Sequence, residues 1–415
     1  LGKIERALQK KSISLTKFQK YARNSRFAKF LPASLPMPLP YRDGNHIELI
    51  HGGTEYFDAL RILIESARMS LHLQVYSLEP DETGFNVMSW LKAAAQRGVQ
   101  VFVVLDAFGS QELSALALKE LQQMGIQVRK YSPLFKGIRF RIGQRLHHKV
   151  ALADQHLALT GGINLADKYR GIGETAWLDY AIQIRGPLCQ DILRYCKRFW
   201  PVVQRLKMPV LSPPEVQGDL EARLTRNDLR LGLQEITDTY RKAVRSAQRE
   251  VLLLSPYFIP GVRLRKALAA ARKRGVKVVL IVPGISDVPM IQRAMEYLYA
   301  WLLGQGVEVW EWERSVLHGK VLVVDGHWVS IGSYNPNALS DYFSLELNVD
   351  IRDRKFAALM HTELSQIILP QCTPLTEVKI RSRFTWLRRV VQSLSYYMLW
   401  TACRLAIPDA KLLKE

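Results

Sequence analysis

His147-His148-Lys149, followed by Asp154 and then by Gly161-Gly162-Ile163-Asn164, has a counterpart in His318-Gly319-Lys320, Asp325 and Gly332-Ser333-Tyr334-Asn335. In both copies four residues separate the Lys from the Asp, and the Asn stands ten residues beyond the Asp. Two identical spacings, each inside a strand–turn–strand pattern, indicate duplication rather than coincidence. His and Lys two apart on a strand share a face, because side chains alternate. Residues 150–153 and 321–324 are apolar runs that read as buried strands, with the His-Lys pair at their entrance. The motif places Asp154 and Asp325 with His147, Lys149, His318 and Lys320 in the candidate catalytic set. Each Asp also opens a hairpin turn (Asp154-Gln155-His156, Asp325-Gly326-His327), which gives it a turn-fixing role.

These residue types suit a phosphodiester. A neutral imidazole can attack phosphorus and form a covalent phosphohistidine. A second, protonated imidazole can give its proton to the departing alkoxide and later take one from the incoming alcohol. Lys149 and Lys320 would neutralise the non-bridging oxygens, and Asn164 and Asn335 would donate amide hydrogen bonds to them. A nucleophilic histidine needs its other ring nitrogen oriented, usually by a carboxylate. Asp179 and Glu346, both in apolar strand-like settings, are the candidates. His148, His156 and His327 read as structural or exposed. No metal site is expected: the motif histidines are far apart, lack an i,i+4 partner, and are each followed by a cation. The chemistry requires no cofactor.

The motifs resemble those of the phospholipase D superfamily. Within it the chain is similar to the bacterial cardiolipin synthase group that lacks N-terminal transmembrane helices. The resemblance runs from about Tyr41 to about Ala402. It includes Arg97-Gly98-Val99, Leu105-Asp106-x-x-Gly109-Ser110, Arg185-Gly186-Pro187, Tyr257-Phe258-x-Pro260-Gly261 and Glu346. Two positions depart from the usual pattern: Pro336-Asn337 stands where Leu-Asp is common, and Ser344 where Asn is common. The resemblance implies transfer of a phosphatidyl group between phospholipids, with phosphatidylglycerol as acceptor. The residues leave the two histidines interchangeable; the resemblance assigns His147 as nucleophile and His318 as general acid. The alternatives are hydrolysis of phospholipids, synthesis of phosphatidylglycerol from glycerol, and a nuclease.

A chain of 415 residues, 48% hydrophobic, is long enough for two lobes with a core each. The net charge is +20, and residues 1–31 and 379–407 together hold fourteen of those excess charges. A nuclease would concentrate its cations in a groove beside the site. Here the cations flank the fold among aromatic and aliphatic residues, as in proteins bound to an anionic membrane surface. The expected partners are therefore anionic phospholipids and the membrane surface, with no nucleic acid; nothing in the sequence sets an oligomeric state. Four scattered cysteines and the absence of a leader fit a reducing cytoplasm, hence the cytoplasmic face of a bacterial membrane. A stretch from Phe384 to Ile407, interrupted by Gln392, is too short and punctuated for a confident span and reads as an interfacial helix.

The organisation expected is a basic amphipathic helix and Pro-rich linker over 1–40, lobes over 41–208 and 219–372, and a basic aromatic tail over 373–415. Ser66-Ala67-Arg68 recurs as Ser246-Ala247-Gln248, and Arg97-Gly98-Val99 as Arg274-Gly275-Val276, so a whole domain is duplicated. The fold class predicted is α/β: two pseudo-two-fold-related phospholipase D-type α/β/α lobes, each with a central mixed sheet flanked by helices, plus terminal amphipathic helices.

Overall fold

The computed structural model describes residues 38–133, 135–136, 139–140, 144–208, 215–383 and 385–406. The expected N-terminal helix, most of the Pro-rich linker, the side chains of the basic loop 136–141 and the last residues of the tail lie outside the described residues.

Strands and helices alternate as the hydrophobic periods predict. The first lobe runs β1 (Arg42–His51), α1 (Thr54–Ser66), β2 (Ser70–Val75), α2 (Glu82–Gln96), β3 (Gln100–Asp106), α3 (Ala115–Gln123) and β4 (Gln127–Tyr131). Three two-residue strands follow, β5 (Phe135–Lys136), β6 (Arg139–Phe140) and β7 (Arg145–Leu146), and then β8 (Lys149–Ala153), β9 (Leu157–Gly161), α4 (Asp167–Arg170), β10 (Tyr180–Arg185), α5 (Leu188–Lys197) and α6 (Val202–Lys207). The second lobe runs β11 (Leu220–Asp228), β12 (Leu233–Gln234), α7 (Glu235–Ser246), β13 (Glu250–Leu254), α8 (Val262–Lys273), β14 (Lys277–Pro283), α9 (Pro289–Glu296), α10 (Tyr299–Gly304) and β15 (Glu308–Trp312). It ends with β16 (Val321–Val324), β17 (Trp328–Gly332), α11 (Ala338–Tyr342), β18 (Ser344–Arg352), α12 (Arg354–Thr362), β19 (Thr373–Pro374), α13 (Glu377–Arg383) and α14 (Trp386–Ala406).

The repeated Arg-Gly-Val marks the same helix stop in both lobes. Gly98 and Gly275 follow α2 and α8 with φ of 88° and 85°, a left-handed turn that a side chain would strain. The two sheets share one strand order. In the first, β4, β3 and β2 are parallel, and β8, β9, β10 and β1 continue antiparallel. In the second, β15, β14 and β13 are parallel, and β16, β17, β18 and β11 continue antiparallel. β1 pairs with β11, so the two edges meet and form one mixed sheet.

Alternation along the strands sorts the core into three layers. Leu71, Leu73, Val101, Val103 and Leu105 face α1 and α2; Val251, Leu253, Val278 and Leu280 face the helices of the second lobe. The opposite faces, with Phe102, Val104, Leu252, Leu254 and Ile281, share a third core with α5 and α12. The expectation of one core per lobe therefore missed the shared layer: a fully apolar strand such as Val-Phe-Val-Val-Leu must be covered twice, and each lobe covers the other.

The tail helix, expected to be interfacial or shallowly inserted, also packs on the second lobe. One face of α14 packs on α9, where Arg388 and Gln392 donate to the buried Glu296 carboxylate at 3.0 and 2.8 Å and Tyr396 stacks on Tyr297. The other face exposes Trp386, Leu387, Leu394 and Trp400. No described helix is long and apolar enough to cross a membrane.

Asp154 and Asp325 have left-handed φ of 47° and 54° in the β8–β9 and β16–β17 turns. The Asp154 carboxylate accepts the backbone N–H groups of Arg68, Met69 and Ser70 at 2.6–2.8 Å. Asp325 accepts those of Gln248, Arg249 and Glu250 at 2.7–2.9 Å. This explains the repeated Ser-Ala-x: it is the strand entry that each Asp captures. Burial opposes the charge on Asp325, but three N–H donors outweigh it and hold the carboxyl below its usual range. A depressed folded-state pKa means that this stabilisation is present above the unfolded value and is lost as pH falls through the folded one. Asp325→Ala is expected to lower stability by about 2–4 kcal/mol in urea unfolding at pH 7, since it strands three N–H groups. Asp325→Asn, which keeps an acceptor, should lose less, and equal losses would show that the carboxylate bonds contribute little.

Candidate functional site

The parallel strands place the site. β2 pairs antiparallel with β8, so the C-terminal end of β2 lies beside the start of β8, where the first His-Lys pair stands. β13 and β16 repeat this around His318 and Lys320. The segments that carry the histidines are then anchored across the molecule. The Leu345 carbonyl accepts the N–H groups of His147 and His148 at 3.1 and 3.0 Å, and the Leu178 carbonyl accepts those of His318 and Gly319 at 2.8 and 2.9 Å. Leu345 precedes Glu346, and Leu178 precedes Asp179.

The orienting carboxylates are consequently exchanged. His147 Nδ1 lies 3.0 Å from Glu346 Oε2, and His318 Nδ1 lies 2.6 Å from Asp179 Oδ2. Each carboxylate serves the histidine of the other lobe. The two arms differ in length and are compensated locally. Next to the shorter Asp179 stands Gly162, where a Cβ would meet the carboxylate at 2.2 Å. At the equivalent place Ser333 Oγ donates to Glu346 at 2.5 Å and steadies the longer side chain.

The structure thus brings together His147, Lys149, Asn164, Asp179, His318, Lys320 and Glu346, and it leaves Asp154 and Asp325 out. Those two lie beyond the far ends of β8 and β16, and a five-residue strand spans about 16 Å. Membership of the motif had put them in the catalytic set; their three N–H bonds each make them structural, as the turn reading had it.

Lys149 and Lys320 are 2% and 1% exposed, and each donates to the backbone carbonyl of its own motif histidine. Burial, reinforced for Lys149 by the other ammonium, pushes Lys149 down to about 7; burial pushes Lys320 down to about 8. Burial and the neighbouring lysines also lower both histidines, His318 to about 4. Where the Nδ1 proton is given to the carboxylate, Nε2 carries the lone pair; at His318 the Lys320 Nζ also lies 2.8 Å from Nδ1. His318 Nε2 lies 3.4 Å from the Tyr169 hydroxyl, which accepts from Asn164 at 2.9 Å; among the described residues His147 Nε2 has no hydrogen-bond partner. Asn335 is buried, and its Oδ1 finds no partner among the described residues.

Sequence reasoning missed the aromatic wall. Tyr76 packs edge-on to His147, and Tyr169, Trp177 and Tyr257 surround His318. Only Tyr257 and Trp177 lay in segments already singled out; Tyr76 and Tyr169 carried no signal of their own. Asp106 was visible in Leu-Asp-x-x-Gly-Ser and proves to hold the approach to His147, accepting the Leu146 N–H at 2.8 Å. The two departures from the usual pattern have structural roles: Asn337 caps α11 through the Ser340 N–H at 2.9 Å, and Ser344 pairs with Arg145 where β18 meets β7.

Two buried amines with depressed pKa values form a receptor for an anion. Binding an anion raises the pKa of every basic group around it, so protons are taken up. Tungstate binding at pH 8 should take up about one proton, read by calorimetry in buffers of different ionisation enthalpy. Binding without proton exchange would contradict the burial of the lysines in their neutral form.

The comparisons with known proteins agree with this geometry. The family model described as cardiolipin synthase, PLD-like domain, matches residues 60–200 and 240–368. The chain is 34% identical to cardiolipin synthase B of Shigella flexneri, over 88% of this chain and 90% of that one. It is 28% identical to the minor cardiolipin synthase ClsB of Bacillus subtilis, over 79% and 83%. In structure it is similar to a phosphatidylserine synthase of Haemophilus influenzae, with a TM-score of 0.67 and 16% identity over 89% of this chain and 96% of that one, a likeness of fold. With both half-sites intact and a family match on each side of the pseudo-two-fold, the chain belongs to the phospholipase D-type phosphatidyltransferases of the cardiolipin synthase family.

Proposed function

We propose that the protein is a cardiolipin synthase: it moves a phosphatidyl group from one phospholipid to a hydroxyl of phosphatidylglycerol, giving cardiolipin and releasing the donor's alcohol. The observation that supports this most is the crossed pair of carboxylate–histidine contacts, with Lys149 and Lys320 buried between them.

His147 is the nucleophile in this reading. Its Nε2 is uncommitted and its Nδ1–H is held by Glu346, so the lone pair is presented with the ring already oriented. It attacks phosphorus, and the bond to the leaving alkoxide breaks. His318, charged once the phosphodiester is bound, donates its Nε2 proton to that oxygen, while Asp179 stabilises the imidazolium. In the second half the acceptor hydroxyl passes its proton to His318 and attacks the phosphohistidine. The P–N bond breaks and His147 returns neutral. Lys149 and Lys320 neutralise the non-bridging oxygens, and Asn164 and Asn335 complete the cradle. Tyr76, Tyr169, Trp177 and Tyr257 restrict water around the phosphohistidine, which favours an alcohol acceptor over hydrolysis. The names of the relatives support the same substrate class, and membrane association at the cytoplasmic face follows from a lipid substrate together with the basic ends of the chain.

Purified protein on phosphatidylglycerol vesicles should yield cardiolipin and glycerol. His147→Ala and His318→Ala should each lower turnover by about 10³-fold or more while leaving the thermal transition in place. Labelled phosphatidyl groups should collect on His147 in the His318→Ala protein. Label on His318 in the His147→Ala protein would reverse the roles, and release of phosphatidic acid without cardiolipin would make the protein a hydrolase.

A further inference from the structure

Exposed apolar side chains recur at matching places of the repeat, at the end of the sheets that carries the site. Phe85, in the first turn of α2, is 55% exposed, and Val262, which opens α8, is 45% exposed. Phe108, after β3, is 43% exposed, and Ile285, after β14, is 47% exposed. Phe85 stands to Val262, and Phe108 to Ile285, at the sequence spacing that separates Arg97-Gly98-Val99 from Arg274-Gly275-Val276. A scattered exposed Phe or Val needs no explanation; the same position left apolar and open in both halves of a divergent duplication does.

Strand register fixes which way these residues look. They follow the C-terminal ends of β2, β3, β13 and β14; the ends of β2 and β13 lie beside the start of β8 and β16, where His147 and His318 sit, and β3 and β14 run parallel to them. The Asp154 and Asp325 turns close the opposite ends of the same strands. The apolar surface continues on both sides of this rim. In the first lobe Phe85 and Leu116 line a groove of about 370 Å³ between α2 and α3, together with polar side chains that include the Lys92–Glu120 ion pair. In the second, Ile285 leads through α9 to α14, whose outer face carries Trp386, Leu387 and Leu394 beside the exposed Arg389.

We infer that the site face itself is a bilayer-docking surface, in which Phe85, Phe108, Val262 and Ile285 enter the acyl region and the pseudo-two-fold axis stands along the membrane normal. The occupant is a phospholipid leaflet rather than a protein. The apolar residues stand at the end of the sheets that must admit a headgroup, and the aromatic helix α14, with its exposed Arg389, extends the same face. Glu82 and Glu112 are also exposed on the first-lobe side and Arg263 beside Val262 on the second, so the rim carries both signs of charge, and its contribution is chiefly apolar and insensitive to salt. The lipid moves only a short way from leaflet to Lys149 and Lys320, and the phosphohistidine faces lipid hydroxyls rather than bulk water.

The inference rests on the proposed lipid chemistry for its choice of surface, and its test needs no turnover. Bimane is attached to Phe108→Cys, Ile285→Cys, His156→Cys and His327→Cys in the full chain, the native cysteines being buried or partly so. Vesicles are equal mixtures of phosphatidylglycerol and phosphatidylcholine with brominated acyl chains. Labels at 108 and 285 should be quenched, and labels at the 156 and 327 turns should not. The combined variant Phe85→Ser, Phe108→Ser, Val262→Ser, Ile285→Ser should lose roughly tenfold or more in vesicle partitioning at low and high salt alike. Its turnover of a short-chain soluble phosphodiester should be unchanged. Quenching at 156 and 327 instead, or undiminished partitioning of the combined variant, overturns the inference and leaves the phosphatidyltransferase reading standing. The expected quenching in a protein that forms no cardiolipin would instead overturn that reading and leave the orientation intact.

Discussion

Two carbonyl oxygens, those of Leu178 and Leu345, hold the site together. Each accepts two consecutive N–H groups from the histidine segment of the other lobe, and each belongs to the residue before an orienting carboxylate. One set of backbone contacts therefore does two things at once. It closes the interface between the lobes, and it delivers a carboxylate to a histidine it could not reach along its own sheet. Bonds from a rigid strand edge fix a ring more closely than a flexible side chain could, which a two-step displacement at one phosphorus requires.

This arrangement carries an electrostatic cost. Two ammonium groups and two imidazoles share a buried space with two carboxylates, and one carboxylate oxygen of Glu346 has no partner among the described residues. Unpaired buried charge costs several kcal/mol. The protein meets that cost in part by letting the lysines approach neutrality, with pKa values of about 7 and about 8, and the apolar layers on both faces of the sheet stabilise the rest. Buried amines gain most from an arriving anion, so the burial that lowers the lysines also favours substrate binding.

How much of this could be read from the sequence follows from the distance over which each feature is set. The β8 and β16 strands, their turns and the His-Lys faces are local, written in alternation and in Asp-x-His turns. The duplication was legible from Arg-Gly-Val and Ser-Ala-x, which prove to be a helix stop and a strand entry. Asp179 and Glu346 could be named as orienting groups, but not assigned to a histidine. Their partners lie 139 and 199 residues away, and only the meeting of β7 with β18 and of Leu178 with Leu317 shows that they cross. The shared core was hidden for a related reason, since an apolar strand does not say what covers its second face. The tail reads as amphipathic either way, and the packing of Glu296 against Arg388 and Gln392 is what decides which side is bound.

The crossing is tested most directly by replacing each carboxylate and following the covalent intermediate in a rapid-quench experiment. With Glu346→Gln the orientation of His147 is lost, and the phosphatidyl-enzyme should form slowly. With Asp179→Asn the acid–base work of His318 fails, and a phosphatidyl group that reaches His147 should persist there. Each carboxylate would then govern the histidine of the opposite lobe. If Asp179→Asn instead impairs attack by His147 while Glu346→Gln impairs its release, or if both variants turn over as the unmodified protein does, the exchanged carboxylates do not organise catalysis.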